Sequence, residues 1–224
     1  QPLADQSVEE YAGFVFQLPA GSFTDEDAGD VLTYGATRAD GTVAVNAQGT
    51  ATVAGLRRYA DIPLLERVSG GAAWRGSISL KKRAFEMAIE STLQGVAIDL
   101  PAPLGKNAAE TMPLKLERTN SADGEVFRSL KIQRLPPRGD AVIVTLGRAL
   151  NAVVLRTREG DHAVIERGAL AFDERPVLPE RPGIVVAGTL PYVNFDHWRA
   201  LVPAGGARLP ISTLNLRLGV VDIG

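Results

Sequence analysis

The chain has 224 residues, with 24 Lys+Arg against 26 Asp+Glu and a formal net charge of −2. That balance argues against a nucleic-acid binder working through a basic surface and against an acidic disordered tail, while 45% hydrophobic and 22% charged residues predict a folded chain with a core. Zero cysteine excludes disulfides, thiolate metal sites and cysteine nucleophiles.

The dominant local signal is β: short runs of Val, Ile, Thr and Ala broken by Gly, Pro, Asp and Asn. Tyr11–Leu18 reads as the first strand. Val31–Arg38 and Thr42–Ala47 flank Ala39-Asp40-Gly41, a tight-turn signal, and Thr50–Ala54 continues the meander. Leu56–Val68 carries helix-like spacing, with Pro63 placed to start a helix. Strands follow at Ala72–Leu80, Arg83–Leu93, Val96–Leu100, Pro113–Arg118, Glu125–Arg134, Ala141–Leu146, Ala152–Arg158, Ala163–Leu170, Gly183–Leu190 and Ser212–Val221. Lys106–Met112 reads as a possible further turn of helix, and Asn194–Val202 as a short helix capped by Asn194 or Asp196. Many strands follow one another directly, which predicts an antiparallel meander rather than βαβ units. The weakest seams fall near Gly55 and at Arg175–Pro182, which gives an N-terminal β-meander at 1–54 and a β-rich segment with short helices at 55–224, or one continuous domain.

Two patterns carry more detail. Bulky apolar residues occupy odd numbers at Phe85, Met87 and Ile89 and even numbers at Val96, Ile98 and Leu100, so a bulge or turn is required near Gly95. Ala141-Val142-Ile143-Val144 and Ala152-Val153-Val154-Leu155 are apolar on both faces and must be covered on both sides.

Enzyme signatures are sparse. The nucleophile-elbow, P-loop, dinucleotide and zinc-protease motifs do not occur, and the two histidines, His162 and His197, each follow an aspartate in a turn or helix start. His162 reads as an exposed turn residue and His197 as a helix-start residue near Trp198, so the chain is expected to be no enzyme and to need no cofactor; a hydrolase-like site on either histidine ranks last. The acidic run holding Asp25, Asp27 and Asp30 is the best calcium candidate, because clustered carboxylates on a loop supply hard oxygen ligands. Phe23–Tyr34 resembles the loop of cadherin-like and Ig-like bacterial surface repeats, and this supports an alternative reading as an extracellular interaction module; a solvated loop is the plainer one. Arg57-Arg58, Lys81-Lys82-Arg83 and Lys106 are scattered and lack interleaved aromatics, so no nucleic-acid partner is expected.

Ser91–Lys106, which contains Leu100-Pro101-Ala102-Pro103-Leu104-Gly105-Lys106, is followed by Met112-Pro113-Leu114. Downstream stand Gly183–Leu190 and then Phe195-Asp196-His197-Trp198. From about Gly41 onward these segments resemble the YhdP branch of the AsmA-like proteins of Gram-negative bacteria. The resemblance implies an internal section of a periplasmic protein anchored in the inner membrane elsewhere in its chain. It implies long curved β-sheets forming a groove- or taco-like apolar channel, with two or three short helices. The implied role is phospholipid transfer and outer-membrane homeostasis, with phospholipid or another apolar lipid and adjacent repeats of the same longer chain as partners. The sequence holds no apolar run of about 18 residues, so no membrane span is expected within this segment. Phe85, Met87, Ile89, Val96, Ile98, Val142, Val144, Val153 and Leu155 are the groove-lining candidates, each of them otherwise an ordinary core residue. Lys106 is the candidate contact for a lipid phosphate at the groove edge.

Overall fold

The computed structural model describes residues 14–16, 33–39, 42–59, 63–81, 84–120, 135–136, 139–160, 162–199 and 210–223. The acidic residues Asp25, Asp27 and Asp30 and the strand expected at Glu125–Arg134 lie outside them.

The described chain is mainly β. Its strands are β1 (Phe14–Phe16), β2 (Thr33–Ala39), β3 (Thr42–Thr52), β4 (Val68–Lys81), β5 (Ala84–Ser91), β6 (Val96–Ile98), β7 (Leu114–Thr119), β8 (Asp140–Leu146), β9 (Leu150–Glu159), β10 (His162–Phe172), β11 (Gly183–Asn194) and β12 (Ile211–Asp222). Two short helices interrupt them, α1 (Val53–Tyr59) and α2 (Phe195–Arg199), with a 3-10 turn at Pro63–Arg67. Among the described residues the twelve strands form one open sheet in the order β1-β2-β3-β4-β5-β7-β8-β9-β10-β11-β12, with β6 beside β4. Pairing follows the chain because neighbouring strands are joined locally, and it is antiparallel as far as β10. The last two joints, β10–β11 and β11–β12, are parallel.

The helices fall close to the expected places, and their caps explain the shifts. The Thr52 hydroxyl accepts a 3.1 Å bond from Gly55 N, so α1 starts as soon as β3 ends, ahead of the expected Leu56. Pro63 does open a helical turn, and Arg57 straps that turn to α1 by donating to the carbonyls of Leu65 and Val68. Asn194 caps α2, its Oδ1 accepting from His197 N at 2.9 Å. Lys106–Met112 forms no helix; Lys106 instead bridges back to Ile98.

The change of apolar parity at Gly95 has a direct structural counterpart. β5 pairs with β4 in the register Trp74↔Ser91, whereas β6 pairs in the register Gly70↔Val96, so the second strand carries one extra residue between the two. Gly95 takes a φ of 94° there, and Leu93 a φ of 51°. The Ser91 hydroxyl holds the start of the bulge, donating to Ala73 O at 2.7 Å and accepting from Leu93 N at 3.0 Å.

Alternation and register give the sheet two different faces. One face carries Val45 and Ala47 of β3, then Trp74, Ile78 and Leu80 of β4, and Phe85, Met87 and Ile89 of β5. It continues through Leu114 and Leu116 of β7, Val142, Val144 and Leu146 of β8, Val154 of β9, Leu170 and Phe172 of β10, Ile184, Val186 and Leu190 of β11, and Leu214 to Val220 of β12. This apolar face is continuous across the sheet. The opposite face is polar over β3 to β7, where Arg75 and Glu90 stand directly opposite each other and pair at 2.6 Å. Over β8 to β10 that second face turns apolar, with Ala141, Ile143, Val153, Leu155 and Ala169 forming a buried cluster.

The parallel joint explains that burial. To lie parallel to β10, β11 must begin back beside Arg167, so residues 173–182 return along the sheet. Leu178 and Leu135 pack on the buried cluster, Arg167 donates to Pro179 O at 3.2 Å, and Asn151 donates to Glu174 O at 3.0 Å. The three-proline stretch expected as a seam is therefore a cover.

Candidate functional site: an apolar sheet face with a cationic end

The long apolar face differs at its two ends. At one end lie the last residues of β5, β9's start, β10's end and β11's end. There the loop between β6 and β7 folds over the face, and Leu104 packs against the cluster of Phe172, Ile184, Val186, Leu190 and Val193. Trp198 of α2 packs on the same cluster, meeting Phe172 edge-on with ring centroids 6.0 Å apart. Among the described residues its buried Nε1–H has no hydrogen-bond partner. The Leu100–Lys106 segment and α2, which first marked the family pattern, together roof this end.

Between the two ends the face is only partly covered. Met87, Ile89, Leu116, Val142 and Val144 are half-buried, while Ile78 and Leu80 on β4 are 37% and 45% exposed. At the far edge of the sheet Leu214, Leu218 and Val220 of β12 are exposed too.

The other end is charged. Asp140, at the start of β8, accepts from Arg118 Nε at 2.6 Å, from Arg156 Nε at 2.8 Å and from Arg156 Nη2 at 2.7 Å. Arg118 also lies 5.6 Å from the centroid of the Phe85 ring. Arg158 continues the line of Arg156, and these arginines line a cleft of about 670 Å³ with Asn120, Pro136 and Gly139. Burial alone pushes the Asp140 carboxyl up, but the hydrogen bonds and charges of Arg156 and Arg118 outweigh it and hold the pKa below its ordinary 3.8. A depressed carboxylate pKa contributes stability that is present above the ordinary value and lost as pH falls through the folded one. Asp140→Asn is therefore expected to lower stability at pH 7 by about 1–3 kcal/mol and to flatten its acid dependence below pH 4. Urea unfolding at pH 7 and pH 3 measures both; an acid slope unchanged in the variant would show that the arginines do not hold this charge.

The structure separates the nine lining candidates. Phe85, Met87, Ile89, Val142 and Val144 share the open apolar face. Val153 and Leu155 do not: the register Ala141↔Leu155 and Ile143↔Val153 puts them on the opposite face, both at 0% exposure beneath the crossover. Val96 and Ile98 leave the β5 line at the bulge, and Val96 is buried there. Lys106 is not an edge lysine. It is 8% exposed, and its ammonium donates to Leu93 O at 2.9 Å and to Val96 O. Leu93 O also accepts from Val96 N at 3.2 Å across the bulge, so Lys106 adds a second donor there and ties the bulge to Val96 O. His162, exposed at the start of β10, and His197, exposed in α2, stand at opposite ends of the β10–β11 pair. Among the described residues no group of acidic or histidine side chains forms a metal cluster, and no helix is long and apolar enough to cross a membrane.

Fold and site together define an open β-sheet protein with one extended apolar face, roofed at one end and cationic at the other. A family model described as YhdP protein matches residues 29–224. The chain belongs to the YhdP family, and the match begins twelve residues before Gly41, where the sequence resemblance starts. No curated protein and no solved structure matched the chain.

Proposed function

We propose that this chain is a non-enzymatic segment of a longer periplasmic protein, anchored in the inner membrane of a Gram-negative cell. Its apolar face holds phospholipid acyl chains during transfer between membranes, in the service of outer-membrane homeostasis. One observation carries this reading: the apolar face runs unbroken from β3 to β12 while its middle side chains stay only partly buried. Exposed apolar patches of that extent mark ligand or partner surfaces rather than ordinary solvent-facing sheet. Family membership points the same way. Dimensions agree as well. At about 3.3 Å per residue, Val142 to Leu146 covers about 13 Å, and an acyl chain occupies about half of a ~30 Å hydrocarbon core. Neighbouring repeats of the longer chain extend the sheet past β12, which carries exposed apolar side chains and, among the described strands, pairs with β11 alone.

The test is photo-crosslinking in cells with the full-length protein. A photoreactive residue in place of Met87 or Val144 is expected to capture phospholipid, whereas one in place of Glu86 on the polar face is not. Absence of lipid adducts from both apolar positions, in protein present at normal levels, would sink the reading for this segment.

A further inference from the structure

The charged end of the apolar face is not explained by folding alone. Arg118, Arg156 and Arg158 line one cleft in which, among the described residues, Asp140 is the one carboxylate, and it pairs with Arg118 and Arg156, so these described groups carry an excess positive charge. Arg156 spends Nε and Nη2 on Asp140 as a fork. Arg118 bonds Asp140 through Nε alone, its side chain is 47% exposed, and it lines the cleft, so its two Nη groups are not used by that carboxylate. The cleft adjoins the apolar face directly: Val142 follows two residues after Asp140, Val154 precedes Arg156 by two, and Arg118 sits over Phe85. A guanidinium fork next to partly buried aliphatic side chains matches a ligand with an anionic head and an apolar body.

We propose that this cleft binds the phosphate of a glycerophospholipid, with Arg118 and Arg158 as its ligands. Arg156, fixed by Asp140, is the positioning residue. The acyl chains then run from Phe85 and Val142 toward Leu146 and the roof formed by Leu104 and Trp198. The proposal rests on the acyl-chain reading above and adds to it a fixed polarity, head at the arginine end. It also replaces Lys106, which is consumed by the bulge carbonyls, as the headgroup contact.

The experiment uses the full-length protein carrying a photoreactive residue at Val144, incubated with vesicles of phosphatidylcholine doped with either phosphatidylglycerol or diacylglycerol, each bearing an isotope label in identical acyl chains. Wild-type background is expected to capture phosphatidylglycerol at least about tenfold more than diacylglycerol, the size of one charge-assisted hydrogen bond. Arg118→Gln with Arg158→Gln, which leaves the Arg156–Asp140 fork in place, is expected to bring that ratio close to one while capture of diacylglycerol persists. Equal capture of both lipids by the wild-type background, or a preference that survives in the variant, would overturn the headgroup site and leave the acyl-chain reading standing. Capture of neither lipid would overturn both. Competition by millimolar inorganic phosphate in the absence of any effect of the acyl chains would assign the cleft to free phosphate and overturn the lipid source. Arg158→Gln alone, remote from the Asp140 bonds, guards against a folding defect: a partial loss of the ratio with unchanged thermal unfolding supports the site.

Discussion

Leu155→Ala is expected to lower stability by about 2–5 kcal/mol, whereas Val144→Ala should cost under about 1.5 kcal/mol. Both residues are aliphatic strand residues in the middle of the sheet, and the sequence gives no reason to treat them differently. Their surroundings differ. Leu155 is at 0% exposure among Ala141, Ile143, Val153 and Ala169, with Leu178 of the crossover above it. Removing its side chain leaves a cavity, because the covering loop is held by Arg167 to Pro179 O and by Asn151 to Glu174 O and cannot settle freely into the space. Val144 is half-buried on the apolar face, so water already reaches it and no closed cavity forms. Urea unfolding of the two variants measures the difference. Equal losses would mean that both faces over β8 and β9 are core, and the open apolar face would lose its main support. The converse holds for lipid: capture is expected to depend on Val144 and to be indifferent to Leu155.

The same pair shows how much of the site was legible in the sequence. Alternation is a local signal, and it correctly gave β8 and β9 two apolar faces and placed a one-residue irregularity at Gly95. It cannot say which parity of one strand shares a face with which parity of the next. That depends on the register Ala141↔Leu155, which the turn at 147–149 sets. Even-numbered Val142 and Val144 therefore share a face with even-numbered Val154, and odd-numbered Val153 and Leu155 fall on the other. The arginine cluster was hidden for a related reason. Arg118 and Asp140 are 22 residues apart and Asp140 and Arg156 are 16 apart, on three strands, so no window of sequence holds them together. Lys106 misled in the opposite direction. A lone lysine after Pro-Leu-Gly looks solvated, and only the Leu93 and Val96 carbonyls that the bulge turns toward its ammonium make its burial favourable. The antiparallel meander was legible from short connections, and the two parallel joints were not, because the Arg175–Pro182 stretch reads as an ordinary proline-rich loop until its path across the sheet is known.

Gly188→Ala should cost about 2–5 kcal/mol and disturb the roofed end of the apolar face, since backbone strain and overpacking each contribute about 1–3 kcal/mol. Gly188 has a φ of 120°, a conformation that L side chains rarely adopt. A Cβ there would overlap the carbonyl oxygen of Phe172 and stand 2.7 Å from its nitrogen, both backbone atoms that no rotamer change can move. Phe172 and Gly188 are directly paired in the parallel β10–β11 joint, so relief requires the two strands to part. The consequence travels by contact. Phe172 packs on Trp198 of α2, and the cluster beneath also holds Leu104 of the β6–β7 loop. Parting the joint therefore loosens both pieces of the roof. The expected result is a lower unfolding midpoint together with a red-shifted emission from Trp198, read in a background where Trp74 is replaced by Phe. Thermal unfolding and an emission spectrum equal to those of the parent would mean that the joint tolerates a side chain, and that the parallel pairing is not what holds α2 over the apolar face. A lower midpoint with unchanged emission would place the damage in the strand pair alone and leave the roof independent of it.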